Sequence, residues 1–439
     1  MITHPILTEL ANHGVRMGIG ALEAFLSHTG VSTQQFPFVI HVGGTNGKGS
    51  VCRMLEAIYR DAGYSVGLYT SPHLQNVNER IRVQGLDISD ANLDRLLRDT
   101  HDQAVEWSTT EGFDLDVPLT YFELMTATAI RCFAEERVDV VILEVGLGGR
   151  LDATNILRST VSCIVSIDYD HTDVLGTELS SIATEKAGII EQEQVVVIGN
   201  MDDNANRVIR FIAENNASMV QQLGEDFHYT ETTDGLHFQS EEFRLEDVRV
   251  GLVGAHQKHN AALALQIVHS QQCVRPVSIP SMLRGLSSVV HPGRLEWVSK
   301  DLLVDAAHNP AGAKKLYDYL QEIRQQSEHS LPITLMLGCS SGKDIRSIGV
   351  ILAPAVDRIF TTHCRHPRAL SSTDVAREIK GGTPVFDMGA VEEAISHCRW
   401  GEELVVVAGS IFLVGAVRSI VRSSIDQTLP EVLPSIDRT

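Results

Sequence analysis

The feature that most constrains this chain is a short glycine-rich junction. Phe38-Val-Ile-His-Val42 is an apolar, strand-like run, Gly43-Gly-Thr-Asn-Gly-Lys-Gly-Ser50 follows at once, and Val51, Met54, Leu55, Ile58 and Tyr59 then recur at helical spacing. Strand, glycine loop and helix in that order make a cradle for phosphate. The glycines let backbone N–H groups converge, the helix N-terminus adds partial positive charge, Lys48 offers a point charge to β and γ oxygens, and Ser50 offers a hydroxyl to Mg²⁺. The pattern departs from G-x-x-x-x-G-K-[ST] twice, because position 42 is valine and Gly49 separates Lys48 from Ser50. A turn with an incidental lysine is the bland alternative, and four glycines, a lysine and a serine within Gly43–Ser50 speak against it. The loop suits ATP. It does not choose between kinase, ligase and ATPase.

Around this junction, strand-like runs alternate with helical periodicity, which predicts an α/β chain with parallel sheets covered by helices. In the first half strands are expected near Phe38–Val42, Val138–Val145, Val161–Ile167 and Gln194–Ile198. Phe227–Leu252 changes to short alternating strands with an Asp234-Gly235 turn signal, a small antiparallel excursion, and a helix is expected from near His259 through Val268. A second alternation runs through Leu302–Asp305, Ile333–Leu337, Arg358–Thr361, Val385–Met388 and Glu403–Ala408, predicting a smaller, second sheet. Pro292-Gly293-Arg294 lies between the two, so the expected domains are 1–295 and 296–439. The length of 439 residues fits two or three domains at roughly 100 to 200 residues each.

Composition removes several classes of function. With 56 acidic against 36 basic side chains the formal charge is −20, which disfavours nucleic acid and anionic lipid as partners. Apolar runs fall far short of the roughly 20 residues that span a bilayer, and Met1–Leu10 carries no basic, apolar leader pattern, so the chain is expected in the cytoplasm. Seven scattered cysteines without Cys-x-x-Cys read as reduced, mostly buried thiols.

Gly44-Thr-Asn-Gly-Lys-Gly-Ser50 resembles the loop of the Mur ligase superfamily of ATP-dependent amide ligases. Three further segments are similar to the folylpolyglutamate synthase and dihydrofolate synthase family. They are Thr70-Ser-Pro-His-Leu74 with Asn78-Glu-Arg-Ile81, Leu143-Glu-Val-Gly-Leu-Gly-Gly-Arg-Leu-Asp-Ala-Thr-Asn155, and Asp170-His-Thr-Asp173 with Glu185-Lys-Ala-Gly188. Gly254-Ala-His-Gln257, Asn260-Ala-Ala262, Pro292-Gly-Arg-Leu-Glu296, Asp305-Ala-Ala-His-Asn-Pro310 and Gly409-Ser-Ile-Phe412 continue the resemblance in order over nearly the whole chain. About 43 residues precede Gly44, too few for the UDP-binding domain of the peptidoglycan branch.

The resemblance implies a P-loop ATPase domain followed by a Rossmann-like glutamate-ligase domain, and an enzyme that adds L-glutamate to dihydropteroate and to reduced folates through an acyl phosphate. It implies an ATP site of Gly44, Thr45, Asn46, Gly47, Lys48, Gly49 and Ser50 with Asn260, Arg294 and Asp305. Mg²⁺, two ions in all, would be held by Ser50, Ser71, Glu144, His171 and a carbamylated Lys186. Ser71, Pro72, Arg80, Phe122, Asp152, His308 and Ser410 are implied on the substrate side, with Lys48, Lys186, His171, Arg80 and His308 in the reaction itself. It further implies a monomer, a mobile loop at Thr70–Ile81 and an active site that closes against water.

The residues themselves leave alternatives open. Glu144 could be a salt-bridged strand-end acid, His171 a structural histidine, Lys186 a solvated helical lysine, and Arg80 half of a surface salt bridge. Phe122 could be a core aromatic, Asn260 a helix cap, and Asp305 a cap for the turn at Asn309-Pro310. Two other functions stay in view: a different amide ligase of the superfamily, and a P-loop kinase or ATP-binding module.

Overall fold

Four β-branched or aromatic residues precede the glycine loop, and they form a strand buried on both faces. This is β1 (Val39–Gly43), every residue of which is buried. A parallel strand covered by helices on both sides is almost continuously apolar instead of alternating, and Phe38–Val42 is apolar but for His41. In the computed structural model, residues 4–428 are described apart from 15, 17, 32–34, 111–116, 234, 242 and 326–330. The chain divides into two units, Met1–His291 and Pro292–Thr439, the break falling before Pro292 instead of after Leu295.

The first unit is built on an eight-stranded sheet of β1, β2 (Val66–Tyr69), β3 (Ile81–Val83), β4 (Leu86–Asp87), β5 (Val140–Glu144), β6 (Val161–Ile164), β7 (Val195–Ile198) and β8 (Met219–Gln222). Its order is β4-β3-β2-β5-β1-β6-β7-β8, and only the β2–β3 and β3–β4 pairs are antiparallel. Ile40 and Val42 pack with the helices Lys48–Asp61, Ala255–Ser270 and Ile279–Ser288 on one face. Val39 packs with Gly20–His28, Asp90–Thr110 and Tyr121–Glu135 on the other. The expected excursion is a separate antiparallel sheet of β9 (Phe227–Thr232), β10 (Gly235–Ser240) and β11 (Phe243–Arg249). Gly235 opens β10, while Asp234 of the expected turn lies outside the described residues.

The second unit carries a six-stranded sheet, ordered β12 (Glu296–Ser299), β13 (Leu302–Val304), β17 (Leu404–Ala408), β14 (Ile333–Leu337), β15 (Arg358–His363) and β16 (Val385–Ala390). Only β12 runs antiparallel to its neighbour. The fold is therefore α/β with two parallel-dominated sheets. Among the described residues no helix is long and apolar enough to cross a membrane. Six cysteines are buried, Cys273 is exposed, and all seven are unbridged.

One residue of β1 is polar. His41 is fully buried, and its Nε2 lies 2.8 Å from the Thr154 hydroxyl. Burial pushes its pKa down to about 3. An unfolded histidine takes up a proton near pH 6.5, so between pH 6.5 and 3 the unfolded chain binds one more proton than the folded one. The stability that neutral His41 contributes is therefore complete above pH 6.5 and is lost as pH falls through that window. Relative to His41→Gln, the native chain should lose about 2 kcal/mol more between pH 7.5 and 5. Urea denaturation at the two pH values measures this, and parallel losses would refute it.

Candidate active site

Strands β2, β5, β1 and β6 are adjacent and mutually parallel, so their carboxyl ends emerge on one edge. In open α/β sheets that edge is where ligands bind. Here it carries Ser71 just beyond β2, Glu144 as the last residue of β5, the glycine loop after β1, and Asp168–His171 beyond β6.

The loop is clamped to the segment that follows β6. Thr45 N–H donates to the Ser166 carbonyl at 2.8 Å, and the Thr45 hydroxyl donates to the Asp168 carbonyl at 3.2 Å while accepting from Asp168 N–H at 3.0 Å. Asn46 N–H donates to Ser166 Oγ at 3.1 Å. Gly47 then turns the chain into the helix Lys48–Asp61 with φ of 87°. A Cβ on Gly47 would lie 2.7 Å from both Asn260 Oδ1 and Val165 Cγ1. Only glycine meets both demands. Asn260 itself is inside the helix Ala255–Ser270, which begins four residues before the expected His259, so it is not a cap; its amide donates to Gln257 Oε1 at 2.9 Å.

Two lysines meet at the start of the loop. Lys48 Nζ donates to the carbonyls of Gly44 at 3.0 Å and Thr45 at 3.2 Å, and Lys186 Nζ donates to the same Gly44 carbonyl at 3.0 Å. Lys186 is 6% exposed, in the last turn of the helix Leu179–Ala187, so the solvated-lysine alternative is wrong. Burial, and then the neighbouring Lys48 charge, lower its pKa to about 7, although Asp170 and Asp152 pull it back upward.

Glu144 is buried at 7% exposure, and its Oε2 accepts from Ser71 N–H at 3.1 Å. Its Oε1 lies 3.5 Å from where a Gly49 Cβ would stand, which brings it to the first turn of the loop helix beside Ser50. One carboxylate with nearby hydroxyls is a hard oxygen set of the kind that Mg²⁺ accepts while retaining waters. His171 takes a left-handed backbone with φ of 52°, is half-exposed, and donates its N–H to Asp170 Oδ1 at 2.9 Å. Among the described residues no three His, Cys, Asp or Glu side chains form a metal-binding group.

Thr70–Ile81 is braced rather than open. The Glu79 carboxylate accepts the N–H groups of Leu74, Gln75 and Asn76 at 2.7, 2.9 and 2.8 Å. Arg80 is buried, so it is no surface salt bridge; its Nε donates to His73 Nδ1 at 2.9 Å and its guanidinium sits 5.4 Å over the Tyr121 ring. Pro72 is exposed. Thr120-Tyr-Phe-Glu123 opens the helix Tyr121–Glu135 through a capping box. Phe122 is half-buried, 6.0 Å from the Tyr69 ring and packed against Gly146. Asp152 is buried and accepts from Leu147 N–H at 2.8 Å, Thr154 N–H at 3.0 Å and the Thr154 hydroxyl, with a pKa raised by burial.

In the second unit Asp305, Ser410 and Ser340 lie just beyond the carboxyl ends of β13, β17 and β14. The buried Asp305 accepts from Leu295 N–H at 2.8 Å and Ala307 N–H at 2.9 Å, so it caps its own turn and not Asn309-Pro310. Burial raises its pKa, opposed first by the Arg294 charge. His308 Nδ1 lies 2.9 Å from the Ala306 carbonyl, and Ser410 Oγ is 3.4 Å from Ser340 Oγ. Sequence reasoning missed His291, whose Nδ1 lies 3.2 Å from Ser50 Oγ across 241 residues, and Tyr121 beneath Arg80. Neither has a spacing signal.

A phosphate loop at the carboxyl edge of a parallel sheet, followed by a second α/β unit, is the plan of a nucleotide-dependent Mur-type ligase. Residues 42–268 match the Mur ligase middle domain, and residues 293–411 match the Mur ligase glutamate ligase domain. The dihydrofolate synthase/folylpolyglutamate synthase of Escherichia coli K12 is 32% identical over 417 residues, 94% of each chain. Escherichia coli FolC in complex with DHPP and ADP matches with a TM-score of 0.84 and 31% identity, covering 96% of this chain and 97% of that one. The bifunctional folylpolyglutamate synthase/dihydrofolate synthase of Yersinia pestis, complexed with AMPPNP and Mn ion, gives 0.81 and 32% over 95% of this chain and 96% of that one. The chain belongs to the dihydrofolate synthase/folylpolyglutamate synthase family, and it is a ligase.

Gly47→Ala should weaken ADP binding at least about ten-fold, because the added methyl group both strains the turn and strikes Asn260. Titration calorimetry reads this directly, and native affinity in the variant would contradict the assignment of the loop.

Proposed function

We propose that this protein is an ATP-dependent ligase that forms an amide between L-glutamate and dihydropteroate, and between L-glutamate and reduced folates. The observation that carries the reading is the pair of lysines on the Gly44 carbonyl at the mouth of the phosphate loop. Amide formation from a carboxylate stalls in water because the carboxylate is a poor electrophile. Its oxygen instead attacks the γ-phosphorus of ATP, the bridging bond to ADP breaks, and an acyl phosphate forms. The neutral amine of glutamate then attacks the carbonyl carbon, phosphate departs, and the amine sheds its proton. Such phosphoryl transfer depends on position and charge neutralisation more than on covalent help from protein.

Each residue then has a task. The N–H groups of Gly44–Ser50 and the Lys48 ammonium hold the polyphosphate. Ser50, Glu144, Ser71 and His171 would hold divalent metal, which when bound neutralises charge on the β and γ oxygens. Arg80 would pair with a substrate carboxylate, Phe122 would face the pterin ring, and Pro72 and Asp152 would shape that pocket. Asn260 would serve adenine, Arg294 phosphate and Asp305 ribose, with His308 and Ser410 serving the incoming glutamate. Lys186 supports a further role. A pKa near 7 leaves much of its amine neutral, and a neutral amine adds to CO₂, forming an N–C bond and releasing a proton. The resulting carbamate would be an anion able to help hold a second ion.

Two measurements test this reading. Phosphate release with Mg²⁺, L-glutamate and dihydropteroate should fall at least about 100-fold in Lys48→Ala, and full activity in that variant would sink the proposal. Intact mass spectrometry under native conditions in bicarbonate should show one CO₂ added to the native chain and none in Lys186→Gln. Equal masses for the two, after allowing for the substitution, would remove the carbamate.

A further inference from the structure

Ser50 is 3% exposed, and its Oγ lies 3.2 Å from Nδ1 of His291. The same ring presses on the residue before it. A Cβ on Gly49 would stand 2.9 Å from His291 Cε1 and 3.5 Å from Glu144 Oε1. Gly49 is also the residue that separates Lys48 from Ser50 and breaks the usual loop spacing. Its bare backbone is what admits the imidazole beside the hydroxyl and the carboxylate.

The chemistry of a hydroxyl ligand gives this contact a purpose. A serine that lends a lone pair to a cation must direct its proton elsewhere, and the cation makes that O–H a stronger donor. With Ser50 this deeply buried, bulk water is a poor recipient. A neutral imidazole with its hydrogen on Nε2 presents Nδ1 as an acceptor, at the position where His291 Nδ1 is found. A proton pointing at the cation would instead repel it, so the partner that turns the hydroxyl sets the affinity.

We propose that His291 is a positioning residue for the divalent-cation site: its Nδ1 accepts the Ser50 O–H and leaves the Oγ lone pairs to the cation. The inference rests on the reading of Ser50 as a metal ligand. It assigns His291 no contact with the reacting atoms, and it treats Gly49 as the space the ring requires. Outer partners of this kind commonly change metal affinity by roughly ten- to a hundred-fold.

The test is Mn²⁺ binding to the full chain in the presence of ADP, read by electron paramagnetic resonance, for four variants. His291→Leu keeps much of the bulk and removes the acceptor, and it should bind Mn²⁺ roughly ten- to a hundred-fold more weakly. His291→Asn places an amide oxygen where Nδ1 stood and should bind close to the native level. Ser50→Ala should be weakened at least as much as His291→Leu, and the double variant Ser50→Ala/His291→Leu should be no weaker than Ser50→Ala alone, since the two act through one atom. Native affinity in His291→Leu beside a weakened Ser50→Ala would overturn this inference and leave the ligand reading standing. Equal weakening in the leucine and asparagine variants would make His291 a packing residue and overturn it as well. Native affinity in Ser50→Ala would remove the ligand itself, and the inference with it.

Discussion

Two ammonium groups share one carbonyl oxygen in this protein, and much of the rest follows from that crowding. Lys48 and Lys186 each reach Gly44 O at 3.0 Å. Two cations that share one acceptor repel each other, and a setting poorer in water strengthens that repulsion. The fold relieves the strain in one visible way: burial, followed by the Lys48 charge, lowers the Lys186 pKa to about 7. Any anion that arrives relieves the rest. The loop therefore rests in a state whose energy falls when polyphosphate binds, which is what a phosphate site needs and what a glycine turn with a stray lysine would lack. The carbonyls matter as much as the cations, because Gly44 O holds both Nζ atoms at the mouth of the loop and Thr45 O adds a second hold on Lys48.

Why these particular residues meet is a matter of strand order. Ser71, Glu144, the Gly44–Ser50 loop and the Asp168–His171 segment are far apart in sequence, yet each ends or follows one of four adjacent parallel strands. Parallel pairing sends all four carboxyl ends to the same edge, so one topological choice assembles the candidate centre. The clamp between Thr45 and Asp168 then ties the first of these segments to the last. A one-residue slip of β6 against β1 would turn Ser166 away from Asn46 and release the loop, which makes register as much a functional property as a packing one. The second unit repeats the device at a smaller scale, with Asp305, Ser410 and Ser340 beyond β13, β17 and β14.

What sequence revealed and what it hid divide along the same line. Strands that are long, apolar and buried on both faces announce themselves, so β1, β5, β14 and β17 were legible. By contrast β2 is only four residues, Val66–Tyr69, and contains Gly67, which periodicity reads as a break. The glycine is there because a Cβ would lie 2.6 Å from the Phe133 ring, a tertiary demand invisible in spacing. The helix before Asn260 began early for a related reason: Ala255-His-Gln-Lys is polar enough to pass for loop, and only the burial of Gln257 and Asn260 reveals a helix covered on that side. Arg80 and Lys186 looked like surface charges because long cationic side chains usually are. His291 had no local signal at all, since its meaning depends on a contact spanning 241 residues.

A formal charge of −20 and a site suited to anions are reconciled by length scale. At physiological ionic strength exposed charges are screened over roughly 8 Å, so the acidic surface loses its influence within a few residues of any given point. Buried and half-buried groups are screened far less. Lys186 at 6% exposure, Arg80 at 8%, the half-buried Lys48 and the N–H groups of a helix end act in that less screened setting. A site of this kind recognises phosphate and carboxylate by local field, while the distant surface discourages extended polyanions that would have to lie along it. Net charge thus disfavours nucleic acid without disfavouring ATP, because the two ligands differ in how much of the surface each must touch.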